Sequence, residues 1–452
     1  MSRELPGWKW GPFTFRLPFY HTRLYLPEFL QGILITSATG LALVPLMTGY
    51  FGLTFEQAIA LSLMHSILIT SAVIVFGEPY GPGWITAALP LALGFVVFGE
   101  FDDPVSRFQA MTALSLNFAA LVFVLGITGL GRKLMVWLPQ TLKAGIILGA
   151  ALAAFMRVLL DDADGLLMEQ PVAITVGCAV CLIFMFSLPL QRLKQRSRFF
   201  MMLGALGLLP GFLAAALVGP LAGEVEYNIR WGILLPPVHE VWQKASPFVI
   251  GWPEPGMFLQ SLPLALIAYV ILFGDLVTGN EVLRDGIHAR NDEHIDINPD
   301  RSHLSLAIRN AVMGVAAPFF PTQGAVWTGV HVIIVQRWKQ GPQAVESLHS
   351  GLASYYLMGI PFMFFLLPLM TALEPLLNIA LSLTLILTGF ACAYIAMSIP
   401  KENTSRGTVV LIGVCLAFFE PWIGLLTGIL ATLALVGWDP SEEPIPLERD
   451  DQ

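Results

Sequence analysis

Two stretches of this 452-residue chain combine residue types that could hold a solute. One reads Glu78-Pro79-Tyr80-Gly81-Pro82-Gly83 and runs into Trp84. The other reads Pro318-Phe319-Phe320-Pro321-Thr322-Gln323-Gly324 and runs on to Trp327. Both are too rich in proline and glycine for a regular helix, and each leads into a short apolar run. A helix starting from such a stretch presents unsatisfied N–H groups and a partial positive charge. Two such ends facing one another suit an anion or a carbonyl-rich polar solute. Gly81, Gly83, Trp84, Phe320, Thr322, Gln323, Gly324 and Trp327 are therefore candidate substrate-binding residues, with the aromatic side chains able to stack on a planar solute.

Ionisable residues inside apolar runs form the second group of candidates. Asp275 is foremost. With Thr278 and Glu281 it falls at helical spacings of three and six, roughly on one face. A carboxylate beside hydroxyl and carbonyl oxygens could hold Na⁺, and alone it could carry a coupling proton. Lys143 and Arg309 are the candidate partners. Lys143 is placed to snorkel to the interface, and Arg309 to salt-bridge a core acid. His65 and His331 lie mid-run and read as interhelical hydrogen-bonders. Cys178, Cys181, Cys392 and Cys415 all sit in apolar stretches as small core residues. Catalytic and metal-binding spacings are absent from the sequence, so neither an enzyme nor a cofactor is expected.

The elements that must position these residues follow from composition. Hydrophobic residues make up 56% of the chain and charged ones 12%, with a mean hydropathy of +0.71. A soluble globule could not hide that apolar surface, so the chain reads as a polytopic, all-α membrane protein. Runs of up to about 20 apolar residues divide it into fourteen spans, the third and tenth being the short half-helices after the two Pro/Gly stretches. Their placement seven spans apart points to two inverted seven-helix repeats with a site at mid-membrane. The expected organisation is a cytoplasmic segment 1–27, a first repeat 28–219, an extracytoplasmic connector 220–257, a second repeat 258–438 and an acidic cytoplasmic tail 439–452. Of the 24 basic residues, only Arg107, Arg157, Arg230 and Lys244 fall outside this inner face, with Lys143 and Arg309 inside spans. That asymmetry places both termini in the cytoplasm. The outer loops carry Glu100, Asp102, Asp103, Asp161, Asp162, Asp164, Glu169, Glu224 and Glu226, read as a solvated face. Net charge is −8 without a basic tract, which argues against nucleic acid.

The first span, Leu30-Gln31-Gly32 followed by Ala38-Thr39-Gly40-Leu41-Ala42-Leu43-Val44-Pro45, resembles the first helix of the nucleobase–ascorbate transporters. Leu262-Pro263-Leu264-Ala265-Leu266 through Phe273-Gly274-Asp275-Leu276 is similar to that family's eighth helix. Pro321-Thr322-Gln323-Gly324 is similar to the Pro-x-Thr-Gly motif of the sulphate permease family, and the stretch from Asp296-Ile297-Asn298 to Arg309-Asn310 to its loop before helix nine. The resemblance implies a uracil permease-like fold in which spans 1–4 and 8–11 form a core and spans 5–7 and 12–14 a gate. It also implies movement of core against gate, often within dimers. The ungapped alignment puts Ile271 where nucleobase transporters keep a substrate-binding Glu, and Trp327 where uracil permeases carry a second carboxylate. Neither can accept a nucleobase N–H.

The reading is a secondary active transporter in the cell membrane. It moves a small anionic solute by an elevator-type motion coupled to H⁺ or Na⁺, as a homodimer among membrane lipids. The alternatives are a nucleobase symporter and an uncoupled anion channel or uniporter on the same fold.

Overall fold

The computed structural model describes residues 4–97, 99, 101–160, 166–194 and 208–438. The principal helices are α1 Leu26–Thr39, α2 Phe55–Ile74, α3 Leu89–Val96, α4 Pro104–Thr128, α5 Gln140–Leu159, α6 Pro171–Phe186 and α7 Leu209–Ala222. They continue as α8 Pro255–Ala289, α9 Pro299–Ala316, α10 Thr328–Lys339, α11 Leu348–Ala353, α12 Leu377–Ser398, α13 Asn403–Phe418 and α14 Pro421–Leu435. Among the described residues five stretches are long and apolar enough to cross a bilayer: α2, α4, α5, α8, and Leu367–Ser398, which includes α12. Shorter apolar helices include α6, α7, α13 and α14. Glu420-Pro421 separates α13 from α14.

Local chemistry fixes several starts. Thr54 and Gln57 form a reciprocal capping box at the head of α2, with bonds of 3.1 and 3.3 Å. Asp103 caps α4 by accepting the N–H groups of Val105 (2.8 Å) and Ser106 (3.1 Å). These bonds, the Ser106 N–H foremost, hold its carboxyl below the usual range. Its contribution is thus present above the ordinary carboxylate value and fades as pH falls through the depressed one. Asp103→Ala is expected to lower stability by about 1 kcal/mol, read as a drop in Tm of the detergent-purified protein, whereas Asp103→Asn keeps the cap in acid.

Two packed groups are evident. In one, α8 and α9 lie on α4, α10 on α8, and α1 on the π-helical turn Ser354–Gly359 that follows α11. In the other, α12 and α13 lie on α5, α6 on α7, and α14 on α13. The second group is knitted through glycines. A Cβ at Gly145 would meet Ile412 at 2.6 Å, one at Gly149 would meet Leu416 at 2.7 Å, and one at Gly424 would meet Leu416 at 2.6 Å. The groups touch where α3 meets α5 and where α8 meets α5 and α14. Gly94 on α3 and Gly274 on α8 have no atom within 4 Å of a Cβ position.

The all-α expectation needs one correction. The N-terminal segment contains a hairpin, β1 Trp8–Trp10 and β2 Phe13–Phe15, paired antiparallel around Gly11 at φ 56°. Its β2 edge continues onto the end of α2, where the Arg16 N–H donates to the Ile74 carbonyl at 2.8 Å. Two expected spans are also interrupted. The run Leu30 to Thr48 turns at 40–43 before the short helix Val44–Tyr50, and Gly351 to Thr371 is broken by the π-turn and by 364–366. Pro45 and Pro368 each sit in the first turn of the piece that follows, where proline belongs. The tail 439–452, the start of the seventh expected span, and Glu100, Asp161, Asp162 and Asp164 lie outside the described residues.

Candidate functional site

Helix α2 ends because Gly77, at φ 69°, and Pro79 cannot continue it. From there the chain is non-helical through 81–85 before a single 3₁₀ turn, Thr86–Ala88, opens α3. Helix α9 likewise ends at Ala316, and 318–327 is non-helical up to α10. The two stretches meet. Ile85 N–H donates to the Pro321 carbonyl at 2.9 Å, Gly324 N–H to Gly83 at 2.6 Å and Trp327 N–H to Gly81 at 2.7 Å. The pairing runs antiparallel, 85, 83 and 81 against 321, 324 and 327, so each stretch satisfies part of the other's backbone. Non-helical chain inside a bilayer requires such internal pairing.

The approach leaves no room for side chains at the crossing. A Cβ on Gly83 would stand 2.5 Å from that of Trp327. One on Gly324 would meet the Gly83 carbonyl oxygen and the Trp84 backbone, each at 2.8 Å. Trp84, Trp327 and Thr328 remain half-buried and Gly329 is exposed, so the crossing and the start of α10 reach accessible space, while Leu89 at the start of α3 is buried.

Polar side chains brace it from behind. Arg309 on α9, 2% exposed, donates to the Gly324 carbonyl at 3.0 Å and to the Gln323 side-chain oxygen at 3.3 Å. Its Nε has no partner. The sequence suggested a salt bridge to a core acid, but Arg309 forms no ion pair among the described residues; its acceptors are neutral oxygens of the second stretch. Asn310 donates to the Gln323 carbonyl at 2.9 Å, and the Gln323 side chain to that of His65 at 3.2 Å. His65 Nε2 lies 2.7 Å from the Ala317 carbonyl. His331 accepts the Gly81 N–H at Nδ1 (3.1 Å) and turns Nε2 to the Gly279 carbonyl (3.3 Å). Both histidines are thus structural hydrogen-bonders of the crossing, as the sequence reading held.

Of the other candidates, Phe320 is fully buried with its ring on Phe118, centroids 5.1 Å apart. The Thr322 hydroxyl is committed to the Phe319 carbonyl at 3.0 Å. Ile271 is 5% exposed within α8. Asp275 is half-buried, has no hydrogen-bond or ion-pair partner among the described residues, and is an electrostatic neighbour of Cys392 on α12. It therefore stands at the seam between the two groups. The Thr278 hydroxyl bonds back to the Gly274 carbonyl at 3.0 Å, while the Glu281 side chain lies outside the described residues. Lys143 is half-buried on α5.

Sequence reasoning missed Tyr356 and Glu78. The Tyr356 hydroxyl, buried and unpartnered, lies 3.1 Å from where a Gly81 Cβ would stand. Glu78 opens the first stretch and accepts the Ser302 hydroxyl at 2.5 Å, with Arg301 Nε at 3.4 Å. The Gly/Pro pattern hinted at Glu78 only as a neighbour, and a tyrosine in an apolar run carries no distinguishing signal.

The class of fold, a bundle of apolar helices with two unwound, crossed stretches, is one that solved helical membrane transporters share. Among solved structures the chain is similar to SLC26A9, at TM-score 0.52 and 12% identity over 91% of this chain and 65% of that one. It is likewise similar to the murine Slc26a9 anion transporter in its inward-facing state, at TM-score 0.52 and 13% identity over 93% of this chain and 70% of that one. The transmembrane domain of the cyanobacterium bicarbonate transporter BicA aligns at TM-score 0.47 and 12% identity, over 90% and 99% of the two chains. The chain thus spans about two thirds of the SLC26A9 length. No protein-family model matches the sequence, and no curated protein matches it.

Proposed function

We propose that this protein is a secondary active transporter for a small anion, which binds between the starts of α3 and α10. The observation that carries this reading is the antiparallel crossing with Arg309 behind it. Two helix N-termini and a guanidinium hydrogen-bonded only to neutral oxygens, with its carboxylate neighbour Glu78 already engaged by Arg301 and Ser302, favour a negative solute. The fold shared with the murine anion transporter supports the same reading. Gly81, Gly83, Trp84, Gln323, Gly324 and Trp327 would shape the solute site, with Phe320, Thr322 and Ile271 in its supporting wall. Asp275, at the seam, would hold the coupling H⁺ or Na⁺, with Thr278 and Glu281 on its face.

Fourteen spans in two inverted repeats, 28–219 and 258–438, fit the packing. The contact of α1 with the turn after α11 has its counterpart in α8 with α4, and that of α6 with α7 in α13 with α14. The group holding the crossing would be the moving core and the other the gate, in a homodimer with cytoplasmic termini in the cell membrane. The test is uptake into proteoliposomes of chloride, bicarbonate, sulphate, nucleobases and small carboxylates under imposed H⁺ or Na⁺ gradients. Saturable, gradient-driven anion uptake is expected, and Asp275→Asn should abolish the gradient dependence while binding persists. Flux that ignores every gradient would favour the uncoupled channel; uptake confined to uracil or xanthine would favour the nucleobase symporter.

A further inference from the structure

A second set of unpartnered polar atoms lies beneath the N-terminal hairpin. Arg16 follows β2 and is 4% exposed. Its guanidinium has one long contact, from Nη2 to the Leu5 carbonyl at 3.4 Å, and its Nε and Nη1 have no partner. Burial pushes its pKa down only to about 10, so it stays a cation at neutral pH. Nη1 lies 2.9 Å from a Cβ position on Gly77, at the foot of the first unwound stretch.

The nearby acids are already committed. Asp296 holds Arg301 at 2.6 Å. Glu293 accepts from Trp338 (2.7 Å), Ser347 (2.6 Å) and the Leu348 N–H (3.1 Å). Glu78 is engaged by Ser302 and Arg301, and Glu4 is 3.6 Å from Lys9. Its carboxylate neighbours Glu4, Glu293 and Asp296 are thus engaged elsewhere, and Arg16 makes no ion pair among the described residues. His349, 5% exposed, is a further electrostatic neighbour of both Arg16 and Arg301, and its Nδ1 also lacks a partner. Burying an unpaired cation is costly, and two buried side chains with unsatisfied nitrogens, electrostatic neighbours of one another, call for a partner that carries charge.

We propose that the hairpin closes over a binding site for a small, singly charged inorganic anion, held by Arg16 and His349 beside Arg301. Bound anion neutralises Arg16 and fastens the hairpin to the end of α2. This site is separate from the proposed transport site and does not depend on that reading, since a protein that transports nothing would still bind there.

The experiment is limited trypsin digestion of the full-length, detergent-purified protein, in chloride or nitrate against gluconate at equal ionic strength. Lys9 is 70% exposed and reports on the hairpin. At an anion concentration ten times Kd, cleavage at Lys9 should slow about tenfold, the population shift that linkage gives. Arg16→Gln should remove the anion effect at Lys9, and His349→Gln should raise the anion concentration needed. If Arg16→Gln does not fold, His349→Gln and Arg16→Lys carry the test, with Arg16→Lys keeping a weakened response. Wild-type cleavage indifferent to the anion overturns the proposal. So does protection that survives in Arg16→Gln but disappears in Arg309→Gln, which would place the anion at the crossing alone.

Discussion

Replacing Gly324 by alanine is expected to reduce uptake to background while leaving a membrane-inserted protein. The added methyl group would meet the Gly83 carbonyl oxygen and the Trp84 backbone at 2.8 Å. These are main-chain atoms, which cannot turn aside as the end of a flexible side chain can. Relief requires the two stretches to separate, lengthening the 2.6 Å bond from Gly324 to Gly83 and the bonds on either side of it. Overpacking of this kind costs roughly 1–3 kcal/mol, which a polytopic fold can survive. The starts of α3 and α10, however, would lose their mutual position. A displacement of about 1 Å at a site that needs aligned groups can lower rates on the order of a hundredfold. Initial uptake rates in proteoliposomes, beside a size-exclusion profile showing intact protein, give the result. Normal uptake by Gly324→Ala would mean that the crossing does not position the solute.

Arg309→Gln is expected to have the second largest effect. Glutamine can still donate to one of the two oxygens that Arg309 holds, but the positive charge is gone. A hydrogen bond from a charged donor contributes about 1.5–3 kcal/mol, so solute affinity should fall by about tenfold or more. Arg309→Lys keeps the charge but loses the fork that reaches Gln323 and Gly324 together, and an intermediate loss is expected. Affinity is read from competition between the anion and a labelled solute. A neutral solute would respond little to either change, so the pair of variants also tests the sign of the charge transported.

The two broken segments were legible in the sequence because proline and glycine act on the backbone locally. Gly77, Pro79 and Gly81 end α2 whatever surrounds them, and 318–324 ends α9 in the same manner. What the two segments would touch was legible only as an expectation that they face one another. The register of 85 with 321 and of 81 with 327 depends on how α2, α9 and α10 pack, and nothing in the sequence states it. Arg309 was misjudged for the same reason: a carboxylate was sought for it, whereas its acceptors are carbonyl and amide oxygens 14 and 15 residues onward. The hairpin did leave a signal. Trp8-Lys9-Trp10 and Phe13-Thr14-Phe15 alternate apolar and polar residues around Gly11-Pro12, the pattern of a short paired strand. A reading tuned to long apolar runs passed over it.

The glycines of the second group and two on α3 and α8 have opposite surroundings. Gly145, Gly149 and Gly424 are wedged against neighbouring side chains, whereas Gly94 and Gly274 face open space. The proposed gate is therefore stiff where its own helices interlock, whereas α3 and α8 are bare of knobs at these two positions. A frame locked in this way resists bending, so displacement of a neighbouring body would not dissipate as distortion within it.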